Sequence, residues 1–76
     1  MKCYLIIAST GEYDAYQEWP VKVFVNKNSA IKFTNQLNDL SQTRKFDELK
    51  QLDSYAYCVS HSTLKYVIAE LELEPN

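Results

Sequence analysis

The chain has 76 residues, room for one hydrophobic core and not for two, so multi-domain readings are excluded. Eight basic against ten acidic side chains give a net charge of -2 and a pI near 5.2, which argues against a general nucleic-acid binder that relies on phosphate neutralisation. A hydrophobic share of 46% with 24% charged residues and a single Gly belongs to a folded domain, not to a disordered or low-complexity segment.

The apolar run at the start, Cys3 to Ala8, is far shorter than the roughly 20 residues a membrane helix needs. It ends in the polar turn Ser9-Thr10-Gly11-Glu12, not in a small-residue cleavage site, so the mature chain is expected to start at Met1 and to stay in the cytoplasm. Its length and Ile/Leu content predict a central strand covered on both faces. Gly11 to Glu18 is too long for a tight hairpin turn and is expected to project as a loop. The next stretch, Trp19 to Val25, alternates as a half-buried strand does. Trp19, Val21, Val23 and Val25 fall on one face and Lys22 and Phe24 on the other, and Pro20 suits an edge strand.

Asn26-Lys27-Asn28-Ser29 supplies helix-capping chemistry, and Ala30, Phe33, Leu37 and Leu40 then share one helical stripe. After an interruption at Ser41-Gln42-Thr43, Phe46, Leu49 and Leu52 predict a second, shorter helix with Thr43 as its cap. Asp53 to Ser60 reads as extended chain or a short strand. Leu64 to Leu73 alternates again, with Val67, Ala69, Leu71 and Leu73 on one side and Glu70 and Glu72 on a wet side. The fold class is therefore α+β: a small antiparallel or mixed sheet of three to four strands, first strand between second and last, with two helices on one face. Ordering costs ~1.5 kcal/mol per residue, so a core of this size leaves only a few kcal/mol and a homodimer would add to it.

Three clusters are candidates for chemistry. Gly11 to Trp19 packs three carboxylates (Glu12, Asp14, Glu18) and three large aromatics (Tyr13, Tyr16, Trp19) into nine positions. Exposed Tyr and Trp dominate many protein interfaces, so Glu12, Tyr13, Asp14, Tyr16, Glu18 and Trp19 are the candidate partner-binding residues. The plainer reading folds Trp19 back over the core and leaves the acids solvated. The loop lacks the order of a calcium site, and nothing on it would desolvate a carboxylate for acid–base work, so no metal and no catalytic role is expected there. Cys58-Val59-Ser60-His61 brings a thiol near the sole histidine, but no oxyanion-hole motif accompanies them. Cys3 and Cys58 form no C-x-x-C pair and read as buried free thiols, and no cofactor is implied. Lys27, Lys32, Arg44, Lys45 and Lys50 beside Asp39, Asp47 and Glu48 are an ordinary solvated helical surface. Glu70, Glu72 and Glu74 guard a strand from edge pairing or, as the rarer reading, imitate a phosphate row.

The opening Tyr4-Leu5-Ile6-Ile7-Ala8-Ser9-Thr10-Gly11-Glu12-Tyr13, followed by Glu18-Trp19 and Val21, resembles that of a group of small phage and prophage proteins with an Ala-Ser-Thr-Gly-Glu-Tyr turn and Glu-Trp-x-Val. The resemblance extends more weakly to the helix over Ala30 to Asn38 and to the closing strand over Tyr66 to Leu73. Pro20 departs from a position often β-branched or aliphatic in the group, and the segment before the last strand looks shorter and less glycine-rich. The resemblance implies a viral accessory protein, non-enzymatic, that binds a host protein in the host cytoplasm and modulates or inhibits a process such as a defence system. The alternative from the residues is nucleic-acid contact by stacking on Tyr55, Tyr57 or Tyr66 from an open sheet face, which the acidic pI disfavours.

Overall fold

The computed structural model of the chain describes residues 1–11, 16–58 and 64–72, with 57 and 58 as backbone. The expected α+β order is what forms: β1 (Lys2–Thr10), β2 (Gln17–Phe24), α1 (Lys27–Gln42), α2 (Phe46–Leu52) and β3 (Lys65–Glu72). The sheet is antiparallel and three-stranded in the order β2-β1-β3, so β1 is central as its apolar run required. Asp53 to Ser60 differs from expectation. Its described part is a 3-10 turn over Ser54–Cys58, not a strand, because the Asp53 carboxylate takes the Tyr55 N–H at 3.2 Å and bends the chain there.

α1 starts where the capping chemistry placed it. The Asn26 side-chain oxygen accepts from the Ser29 N–H at 3.0 Å, satisfying one of the donors a helix start leaves over. Ala30, Leu37 and Leu40 are buried on the core stripe and Phe33 is half-buried, but Thr34 and Ser41 are buried there too. Thr34 satisfies its hydroxyl on the Ala30 carbonyl at 2.8 Å. Thr43 does not cap α2. It closes α1 instead, its hydroxyl donating to the Asp39 carbonyl at 2.8 Å, and Arg44 at φ 59 then turns the chain into α2 through the left-handed region. In α2, Leu49 is fully buried while Leu52 is exposed. Ile6, Leu37 and Leu49 are the largest fully buried side chains, each contributing about 1.5–3 kcal/mol.

Two expectations about faces are overturned. β2 pairs Ile6 with Lys22 but Ile7 with Pro20, so Val21 is an extra residue, a β-bulge. The bulge puts Val21 and Lys22 on the same side and reverses the alternation beyond it. Phe24 therefore packs on the core, at 5.3 Å from Phe33, with Lys22 Nζ 5.2 Å above the Phe24 ring, while Val23 and Val25 are exposed. On β3 the alternation is as read but the core side is the other one. Tyr66 is buried and Ile68 packs against the core, whereas Val67 and Leu71 are exposed. Both helices lie on the side of Tyr4, Ile6 and Ala8, and β1 is not covered on both faces: Leu5 and Ile7 are half-buried on a side where no described element packs. Two helices supply one layer only, and the molecule is correspondingly thin, 16 Å in its shortest dimension.

Candidate protein-binding surface

β1 is followed by Gly11, whose φ of 87° is open to glycine at little cost, and the described chain resumes at Tyr16. Glu12, Tyr13 and Asp14 lie outside the described residues. At the loop's base, Trp19 is turned inward and buried beneath the sheet, as the plainer reading had it. Its indole N–H donates to the Asp53 carboxylate, 3.1 Å from Oδ1 and 3.0 Å from Oδ2. The Tyr66 hydroxyl donates to Oδ2 of the same carboxylate at 2.8 Å, so one buried acid ties β2, β3 and the end of α2 together. Burial first, and then the hydrogen bond and negative charge of Asp53, hold the Tyr66 phenol well above the usual tyrosine range. Tyr55 leans its ring on Trp19 at 4.9 Å between centroids and remains exposed.

With Trp19 fixed, the two residues before it on the outward side stay in solvent. Tyr16 and Glu18 are exposed, and the Tyr16 hydroxyl donates to Glu18 Oε2 at 2.8 Å. That hydrogen bond is the main reason the Tyr16 phenol lies above its ordinary value of 10.0. Beside them Leu5, Ile7, Glu18, Trp19 and Pro20 line a shallow depression on the uncovered side of the sheet. This depression continues into the apolar side formed by Val23, Val67 and Leu71, so an aromatic-acidic rim borders an exposed apolar floor.

The other clusters divide differently. Cys3 is a buried free thiol; the side chain of Cys58, and His61 with its neighbours, lie outside the described residues. Among the described residues no group of three or more His, Cys, Asp or Glu is placed to hold a metal. Glu70 pairs with Lys2 at 3.5 Å and Lys50 with Asp47 at 3.4 Å, both in solvent and contributing little. Glu72 is exposed and Glu74 lies outside the described residues. The tyrosines of the nucleic-acid alternative share no open face: Tyr66 is in the core, Tyr55 sits on the helical side against Trp19, and the Tyr57 side chain lies outside the described residues. Asp53 was not among the sequence candidates; its one sequence signal is a carboxylate directly after an apolar helical repeat, at the position of the helix C-cap. Among the described residues no helix is long and apolar enough to cross a membrane.

The molecule is thus a small α+β protein with one helical layer, a sheet side on which no described element packs and an aromatic-acidic rim. No protein-family model, curated protein or solved structure matches the chain.

Proposed function

We propose that the chain is a non-enzymatic accessory protein of the phage type that works in the host cytoplasm by binding a host protein, as a modulator or inhibitor of a process such as a defence system. The observation that carries the binding part is the Tyr16–Glu18 pair. An exposed aromatic just before β2 and an acid on it are joined by a 2.8 Å hydrogen bond, and the residue after the acid, Trp19, is fixed to buried Asp53. A rigid Tyr loses little entropy on contact and gives large area, which is what residues that dominate an interface provide. The viral context is contributed by the sequence resemblance alone. Glu12, Tyr13, Asp14, Tyr16 and Glu18 are the contact residues in this reading, and Trp19 is their anchor.

The test is affinity capture from host lysate with tagged wild type beside a Tyr13→Ala, Tyr16→Ala double variant shown to be folded by circular dichroism. A stoichiometric protein captured by wild type and lost with the double variant supports the reading. Equal capture by both, or capture only of material released by nuclease, overturns it.

A further inference from the structure

We infer that the uncovered side of the sheet is the contact between two copies of this chain, related by a two-fold axis running along β1. The inference goes beyond the proposed host target and needs no host component.

The register sets out that side in rows across the three strands. One row is Val23, Leu5 and Ala69; the next is Pro20, Ile7 and Val67. These are apolar throughout, with Val23 57% and Val67 49% exposed on neighbouring rows of the same side. The row after them is polar and asymmetric: Glu18 on β2, Ser9 on β1, Lys65 on β3. With strands about 4.8 Å apart, the backbones of Glu18 and Lys65 stand about 10 Å from each other across Ser9. Among the described residues neither one is in an ion pair.

Two sheets that pack face to face lie about 10 Å apart with their strands nearly aligned. A two-fold axis along β1 exchanges the β2 and β3 sides and leaves each row opposite itself. Glu18 of one copy then faces Lys65 of the other, twice by symmetry, and the exposed Val23 faces the small Ala69. An axis across the strands would instead put the Glu18 and Lys65 row against the opposite, apolar end of the partner's sheet, near Cys3 and Leu71, leaving Lys65 without a counter-charge and Glu18 with the Tyr16 hydroxyl alone. The charges thus choose both the occupant and the axis.

Pairing through the sheet edges is obstructed at particular residues. On the β2 edge, Pro20 has no N–H and the Val21 bulge breaks the ladder. On the β3 edge, Asn38 of α1 occupies the backbone of Tyr66, donating to its carbonyl at 3.0 Å and accepting its N–H at 2.9 Å. Ser41 donates to the Leu64 carbonyl just before it. Three strands of this length present ~400 Å² in projection, a small contact, so the dimer is a weak and concentration-dependent one.

The experiment is sedimentation velocity on the purified chain from ~10 µM to ~1 mM, the range in which so small a contact is populated. Wild type is expected to pass from monomer to dimer. Val67→Asp, at a site exposed in the single copy, is expected to stay monomeric with an unchanged circular dichroism spectrum. Glu18→Lys and Lys65→Glu are each expected to weaken the dimer about tenfold by setting like charges opposite. The double variant Glu18→Lys, Lys65→Glu is expected to restore it, which only the axis along β1 allows. Wild type that stays monomeric throughout, or a double reversal no better than the single ones, overturns the inference. The two contacts share Glu18, but the capture test varies Tyr13 and Tyr16, which none of the dimer variants alters, so failure here and failure of the host-binding reading are distinguishable.

Discussion

Replacing Asp53 with Ala should cost this chain a large part of its stability, although no ion pair is lost. The carboxylate is 4% exposed and accepts from Trp19 Nε1, the Tyr66 hydroxyl and the Tyr55 N–H. Removing it orphans two buried donors, the Trp19 indole and the Tyr66 phenol, at about 1–3 kcal/mol each, so the expected loss is about 4 kcal/mol. A domain of this length holds about 4–11 kcal/mol in all. The melting temperature of Asp53→Ala should therefore fall by about 15–30 °C. The assay is thermal unfolding followed by circular dichroism and by the fluorescence of Trp19, the sole tryptophan, whose emission should move to the red as its pocket opens. Asp53→Asn keeps an acceptor of the same size and should lose about 1–2 kcal/mol. Asp47→Ala, a fully exposed carboxylate, is the control and should stay within about 0.5 kcal/mol of wild type. If Asp53→Ala melted within about 3 °C of wild type with unchanged emission, the idea that this acid ties β2 and β3 to α2 would be refuted.

The same network predicts an alkaline limit. Tyr66 has its folded pKa raised above the ordinary 10.0, so the folded state holds the phenolic proton more tightly than the unfolded chain does. That stabilisation is fully present below pH 10 and is lost as pH rises from there toward the folded value. Denaturant unfolding as a function of pH should show stability falling above that point, and Tyr66→Phe should flatten the fall; an equally steep fall in the variant would refute it. Asn38→Ala should free the Tyr66 backbone on the β3 edge, raising amide exchange at Tyr66 and costing about 1–2 kcal/mol by denaturant unfolding. Unchanged exchange there would show that α1 does not guard the edge.

How far the sequence reached can be judged from particular residues. The Asn26 cap and the Ala30, Leu37, Leu40 stripe are local signals carried within a few turns of chain, and α1 formed where they placed it. β1 was read as central from an apolar run expected to be covered on both faces; the order β2-β1-β3 makes it central, but the described elements cover one face only. Of the candidate contact residues, Tyr16 and Glu18 are exposed, while Trp19 went to the core. Of the polar residues that hold the fold, Asn38 and Ser41 gave no local signal and Asp53 only that of a carboxylate ending an apolar helical repeat, since their core partners lie 13 to 34 positions away.

By itself the sequence determined the class of this protein, the strand and helix order and the position of the first cap, because hydrophobic period and capping act between residues within one or two turns. Tertiary structure alone decided which faces meet water. A strand's alternation says which residues share a side, but not which side the helices will take, and one inserted residue at Val21 exchanges the two. That choice turned Phe24 and Tyr66 inward and left Val23, Val67 and Leu71 outside, and so made the apolar surface on which a second copy is inferred to sit.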